Sequence, residues 1–248
     1  MKEKYSPDKR TNLFVILSGI FIANAIIAEM VGVKIFSLEK IFGFAPLNLH
    51  LPTGILNLNL SVGVVIWPLV FVFSDIVNEY FGKEGVRKMS FLTAILIGYS
   101  FFVIFAGTNA PPAQFWLDIN KTDPSGNAFD INYAYEVIFR QGMGIIIGSI
   151  CAFLLSQMID AYSFQWIKNV TGHKKLWLRA TGSTIISQLF DSFVILYIAF
   201  YIFGNWSFEQ VLAVGIVQYF YKVILAIIMT PLLYVIHYIV DRYLEKNN

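Results

Sequence analysis

The chain has 248 residues, 57% hydrophobic, 17% aromatic and only 14% charged, with a net charge of +2. Soluble domains carry about 25% charged residues, so this composition excludes an ordinary water-soluble domain. The small net charge gives no reason to expect a nucleic-acid partner, and the single cysteine, Cys151, excludes a disulfide framework or a cysteine-rich metal site. With a mean hydropathy of +0.64, the expected class is an all-α integral membrane protein whose surroundings are a lipid bilayer.

A bilayer is crossed by about 20 apolar residues in a helix. Six such stretches run along the chain, at about 13–36, 62–81, 89–108, 138–159, 180–203 and 209–237, and they predict one six-helix domain over residues 1–248. The first follows a basic tail as a signal peptide would. Its apolar part is too long, however, and no small-residue cleavage site follows, so it is expected to stay uncleaved. Residues 47–60 alternate apolar and polar on both sides of Pro52-Thr53-Gly54, which predicts a short β-hairpin on the outer face between helices 1 and 2. The loop 109–137 is long for a compact bundle, as lids and disordered stretches are. Gly144 and Gly148 form a small-residue seam in the fourth span, suited to packing inside the bundle or to a dimer contact. Pro68 and Pro231 predict kinks in the second and sixth spans.

Lys and Arg concentrate in the cytoplasmic segments of membrane proteins. Lys2, Lys4, Lys9 and Arg10 precede the first span, and Lys83, Arg87 and Lys88 separate the second from the third. Lys168, Lys174, Lys175 and Arg179 separate the fourth from the fifth, and Arg242 and Lys246 follow the sixth. Thirteen of the 18 basic residues thereby fall on one side, with Lys34, Lys40 and Lys121 on the other. Six spans with both termini cytoplasmic satisfy this pattern.

The spans nevertheless carry charge. Asp191 and Lys222 lie deep in consecutive spans joined by a few residues, which makes the two spans antiparallel neighbours and puts the charges at matching depth. A charge at the bilayer centre costs about 2.5–3.5 kcal/mol on insertion scales, so the two residues either pair structurally or border a site that something polar visits. Thr184, Ser187, Gln188 and Asp191 follow helical spacing and form one polar stripe. Gln218 and Lys222 share a face of the sixth span. Asp75, Asn78 and Glu79 share a face of the second, where they either bind a donor-rich or cationic ligand or simply cap and reach the headgroups. Trp67, inside a span, suits stacking on a flat ligand or filling the core, whereas Trp116, Trp166, Trp177 and Trp206 read as interface anchors. Asn24 and Glu29 of the first span are candidates for the same cavity. Arg140 and Gln141 sit near the outer end of the fourth span, where Arg140 can pair or snorkel. Gln157 and Asp160 at its inner end read as interfacial polar groups.

The sequence has no G-x-x-x-x-G-K-[ST] phosphate loop. His50, His173 and His237 are scattered, and no Ser/His pair shares one depth. These absences argue against an enzyme, and no cofactor is expected.

Trp67-Pro68, Ser74-Asp75-x-x-x-Glu79-x-x-Gly82 and Ser156-Gln157-x-x-Asp160 resemble motifs of a known family. So do Arg179-x-x-x-Ser183-Thr184-x-x-Ser187-Gln188-x-x-Asp191-Ser192 and Tyr219-x-x-Lys222 with Pro231 downstream. Together the motifs resemble the queuosine precursor transporter (vitamin uptake transporter) family of bacterial inner-membrane proteins, over essentially all six spans. Only the 109–137 loop looks longer than usual. The resemblance implies import of a small molecule, 7-cyano- or 7-aminomethyl-7-deazaguanine, by a chain working alone or as a homodimer. The alternative is a substrate-capture subunit for another heterocycle or vitamin, energised by a separate ATPase.

Overall fold

The computed structural model describes residues 7–51, 54–140, 143–172, 175–203 and 205–245. Lys2, Lys4, the Pro52–Thr53 turn, Gln141, His173, Lys174 and Lys246 lie outside them. Among the described residues five helices are long and apolar enough to cross a membrane, and strands are confined to one short segment.

Helix α1 (Pro7–Val31) places Leu13, Leu17, Phe21 and Ala25 on one buried line, spaced four apart. Val15, Ile16, Ile20 and Ile27 on its other faces are exposed. A helix that is apolar on every side is stable only where lipid covers what protein does not. The apolar stretch stops being helical at Val31, five residues short of the predicted span end. There β1 (Ile35–Ser37) begins and pairs antiparallel with β4 (Asn59–Ser61). Gly32 is required at this corner, because a Cβ would stand 2.7 Å from the Ala28 carbonyl oxygen.

Between these strands lie the short helix α2 (Leu38–Phe42) and the antiparallel pair β2 (Leu49–Leu51) and β3 (Gly54–Leu56). Glu39 ties the segment together. Its buried carboxylate accepts from the Leu58 amide at 2.7 Å and from the Ser37 hydroxyl at 2.8 Å. The Leu58 amide is the main reason that Glu39 is held below the usual carboxylate range.

Helix α3 (Gly63–Asn109) merges what sequence periodicity separates into two spans. Inside it Gly82 takes φ 70° and ψ −176°, which breaks the helix between residues 63–81 and 83–109. Only glycine adopts that backbone conformation without strain. Pro68 and Pro231 lie within helices that continue through them, and Gly82 alone is non-helical inside α3.

The 109–137 loop contains α4 (Gln114–Ile119) and an isolated Thr122–Ala128 bridge. The predicted fourth span is divided. Helix α5 (Ile131–Arg140) ends where Arg140 donates to the Thr108 carbonyl and hydroxyl, both at 2.9 Å. Helix α6 (Ile146–Thr171) then crosses the bundle. Helix α7 (Leu176–Leu196) continues into a π-helical turn, Tyr197–Ile202, and α8 (Phe208–Glu245) closes the chain. Gly148 packs inward, since a Cβ there would meet Ala199 at 3.2 Å, while Gly144 faces open space. Helix α6 packs most closely on α7, α1 on α3, and α8 on α7 and α3.

Candidate functional site

Three helices, α3, α7 and α8, surround one open-mouthed cavity. Helix α3 contributes Trp67, Phe71 and Asp75, which fall at i, i+4 and i+8 on one face. Helix α7 contributes Thr181, Thr184, Gln188 and Asp191, at i, i+3, i+7 and i+10. Helix α8 contributes Lys222, Ala226, Met229, Thr230 and Leu233. The wall is mainly apolar, with its polar groups restricted to a few positions.

In the cavity wall, Lys222 Nζ donates to Asp191 Oδ2 at 2.5 Å. Both side chains keep about a fifth of their surface exposed, 22% and 19%. A fully desolvated pair often loses more in hydration than it gains in attraction. This one stays partly hydrated where it faces the cavity. Beside it, Gln188 is 2% exposed, and among the described residues neither its Nε2 nor its Oε1 has a partner. Asp75 Oδ1 is likewise buried without a partner. Orphaned buried polar atoms cost about 1–3 kcal/mol each, and here they stand in the wall of a cavity. On the opposite side, the Thr181 and Thr230 hydroxyls join α7 to α8 at 3.1 Å. Trp67 lies 5.8 Å from Phe153 and 6.4 Å from Phe71, centroid to centroid, which holds its ring in a tilted aromatic cluster.

Of the candidate residues, Trp67, Asp75, Gln188, Asp191 and Lys222 line this cavity, and the other five do not. Asn78 is spent on α6: its side-chain amide donates to the Ala161 carbonyl at 3.1 Å and its Oδ1 accepts from Gln165 at 2.6 Å. Glu79 forms ion pairs with Arg179 at 2.8 Å and Lys168 at 3.0 Å. Ser187 turns to α6, donating to Asp160 Oδ1 at 3.1 Å. Gln218 sits one turn before Lys222, outside the lining. Asn24 donates to its own helix, to the Ile20 carbonyl at 2.8 Å. Glu29 belongs to a separate, smaller pocket, where it accepts from Ser149.

Two further readings change. Gln157 and Asp160 are both 0% exposed, buried between helices instead of at the interface. Arg179, counted among the loop cations, is 1% exposed and anchors Glu79. Thr181, Thr230 and Tyr221 are lining residues that composition did not single out. Thr181 was discoverable, because it stands three residues before Thr184 and seven before Gln188.

A bundle of apolar helices with a charged pair and an orphaned amide walling an open-mouthed cavity is a membrane carrier of small molecules. The family described as "Putative vitamin uptake transporter" matches residues 61–236. A Bacillus subtilis protein named "Probable queuosine precursor transporter" is 30% identical over 184 residues, covering 72% of each chain. A Haemophilus influenzae protein of the same name is 26% identical over 67% of this chain and 63% of its own. The Escherichia coli "Queuosine precursor transporter" is 22% identical over 72% of this chain and 73% of its own. No solved structure matches. The chain belongs to the vitamin uptake transporter family, as a multi-pass protein of the cell inner membrane.

Proposed function

We propose that this protein imports 7-deazaguanine precursors of queuosine, the 7-cyano or 7-aminomethyl base, across the cytoplasmic membrane. The observation that carries the reading is Gln188. It is a buried amide with both ends unpartnered, at the wall of a mainly apolar cavity and beside an Asp191–Lys222 pair. A guanine-like edge presents adjacent N–H donors and a carbonyl acceptor. Asp191 accepts the donors, Lys222 meets the carbonyl oxygen, and Gln188, able both to donate and to accept, reads the remainder. Trp67 and Phe71 offer apolar faces to the flat ring. Asp75 takes part from the far end of the cavity. Glu79, Asn78 and Ser187 support the wall through α6 and α7, and Gln218 and Asn24 lie outside the lining.

The chain forms one six-span unit with cytoplasmic termini. Val65–Asn109 would be about 68 Å long as a straight helix, roughly twice a hydrocarbon core of about 30 Å. Gly82 breaks it next to Lys83, Arg87 and Lys88, as a cytoplasmic turn between two spans requires. The strand-bearing segment 35–61 then caps the outer face. The inward packing of Gly148 leaves a homodimer without need of that seam.

Purified protein in vesicles, given radiolabelled 7-cyano-7-deazaguanine, tests the reading. Uptake is expected from the chain alone and is expected to disappear in Asp191→Asn and Lys222→Met. Uptake that needs an added ATPase would support the capture-subunit alternative. Unchanged uptake in both variants would remove the assigned site.

A further inference from the structure

At one end of the cavity its three helices are tied to one another. The last lining residues there are Asp75 on α3, Ala180 on α7 and Leu233 on α8. Just beyond them each seam carries a polar contact. Between α3 and α7, Glu79 pairs with Arg179 at 2.8 Å. Between α3 and α8, the Tyr80 hydroxyl donates to Asp241 Oδ1 at 2.6 Å, and His237 Nδ1 stands 3.0 Å from Asp241 Oδ2. Between α7 and α8, the Trp177 amide donates to the Tyr234 hydroxyl at 3.3 Å. Lys83, Lys175 and Arg242 follow or precede these residues closely in the chain, which makes this the cytoplasmic end.

The ties differ in what breaking them requires. Arg179 is 1% exposed, and parting a buried ion pair strands a charge away from water. Lys168 joins the same knot from α6, 3.0 Å from Glu79. The α8 contacts are wetter. The Asp241 and His237 side chains are 40% and 26% exposed, so water replaces a lost partner there at small net cost. Helix α8 also has a weak point in its backbone where a hinge would be needed. Pro231 separates the lining residue Thr230 from Tyr234, His237 and Asp241. Having no N–H, it leaves the Ile227 carbonyl without its helical donor, and helices bend most readily at such sites. Leu233, Val240 and Leu244 on the same half are buried in the core and favour reclosure.

We propose that residues 232–245 of α8 form the cytoplasmic gate of the carrier, hinged at Pro231 and latched by Tyr80 on Asp241. The inference rests on the transport reading above. Helices α3, α6 and α7 stay joined through Glu79, while the end of α8 swings off α3 and α7 and lets the cavity's contents reach the cytoplasm. The structure is the latched state. Tyr80 and Asp241 lie outside the cavity lining and set how often the gate opens.

Access to the cavity tests the gate without any substrate. In a Cys151→Ser background, Ala226→Cys puts a single thiol on the cavity wall of the full chain. A membrane-impermeant thiosulfonate is then applied to the cytoplasmic face of inside-out vesicles. Tyr80→Phe, which keeps the ring, should be labelled about tenfold faster than the parent, the size expected for loss of one hydrogen bond to a carboxylate. Pro231→Ala, which restores the helical donor, should be labelled more slowly. It should also slow uptake of 7-cyano-7-deazaguanine while leaving the thermal shift induced by that base unchanged. A Tyr80→Phe variant that melts earlier but is labelled at the parent rate would make the contact structural and overturn the latch. Equal labelling of the parent and Pro231→Ala would overturn the hinge. Pro231→Ala gains a hydrogen bond, so it decides alone should Tyr80→Phe fail to fold. If the base never enters but labelling changes as expected, the gate stands and only the substrate reading falls.

Discussion

The cavity wall and the layer behind α7 are built from the same residue types, yet their bonding states are opposite. Behind α7, Glu79 holds two cations, Asn78 is bonded to α6 twice over, and Ser187 is given to Asp160. Along the wall, Gln188 is buried with both ends of its amide unpartnered among the described residues, and Lys222 is paired with Asp191. Polar groups that are satisfied within the fold stabilise it; those left unsatisfied beside a cavity are available to a ligand. One helix, α7, serves both regions, with Ser183 and Ser187 on one side and Thr184, Gln188 and Asp191 on the other.

Substitutions should separate the two regions. The largest effect is expected from Arg179→Met, which takes away the buried guanidinium that stands 2.8 Å from Glu79. Breaking a buried pair costs about 3–5 kcal/mol, so thermal unfolding in detergent should fall steeply, and loss of uptake should follow from loss of folded protein. A variant with native thermal stability would mean that the layer is not structural.

Lys222→Met and Asp191→Asn come next. Each leaves one charge alone at the wall, and partial exposure keeps the stability cost near the lower end, about 3 kcal/mol. The double variant should recover most of that stability, since neither charge remains, while uptake stays at background in all three. Uptake restored along with stability would make the pair a structural one.

Gln188→Leu draws the contrast most cleanly. Its stability should hold or rise, because an orphaned amide is removed. Affinity for the 7-deazaguanine base should fall by about 10–100-fold, the equivalent of roughly 1–3 kcal/mol. Ligand-induced thermal shifts would read both at once.

The smallest effect concerns Glu39, a satisfied carboxylate outside the membrane and so a gentler counterpart of Glu79. Its proton affinity is lowered in the fold, so its contribution is present above the ordinary glutamate range and is lost as pH falls through the lowered folded value. Limited proteolysis should therefore find residues 35–61 protected at about pH 6 and more readily cut at about pH 3, with Glu39→Gln flattening the difference. Equal cleavage at both values would show that Glu39 does not hold this segment.

Much of the architecture was legible because its signals are local. Apolar runs of membrane length need no tertiary information, and the alternating residues 47–60 include the two strands, β2 and β3, that pair antiparallel. The site was legible only as far as helical spacing reaches. Spacing grouped Thr184, Ser187, Gln188 and Asp191 correctly on one half of α7, but it could not divide them, because adjacent faces differ by only about 100° per residue. The division depends on where α6 stands, and Asp160 draws Ser187 away from the cavity. Arg179 was misread for a related reason. A cation just beyond an apolar run looks like a loop residue until Glu79, from another helix, is found 2.8 Å away.

The sequence alone thus determined that this is a membrane protein with charged residues inside its apolar stretches. Asp191 and Lys222 are too costly in lipid to stand without partners or purpose, and that energy depends on residue type and depth, not on neighbours. Only the tertiary structure decided which polar groups are consumed and which remain open. Hydrogen bonds reach about 3 Å, so whether a side chain is satisfied depends on how closely helices distant in sequence approach each other. A carboxylate anchors the bundle at Glu79, while one turn away Asp75 Oδ1 is buried without a partner among the described residues.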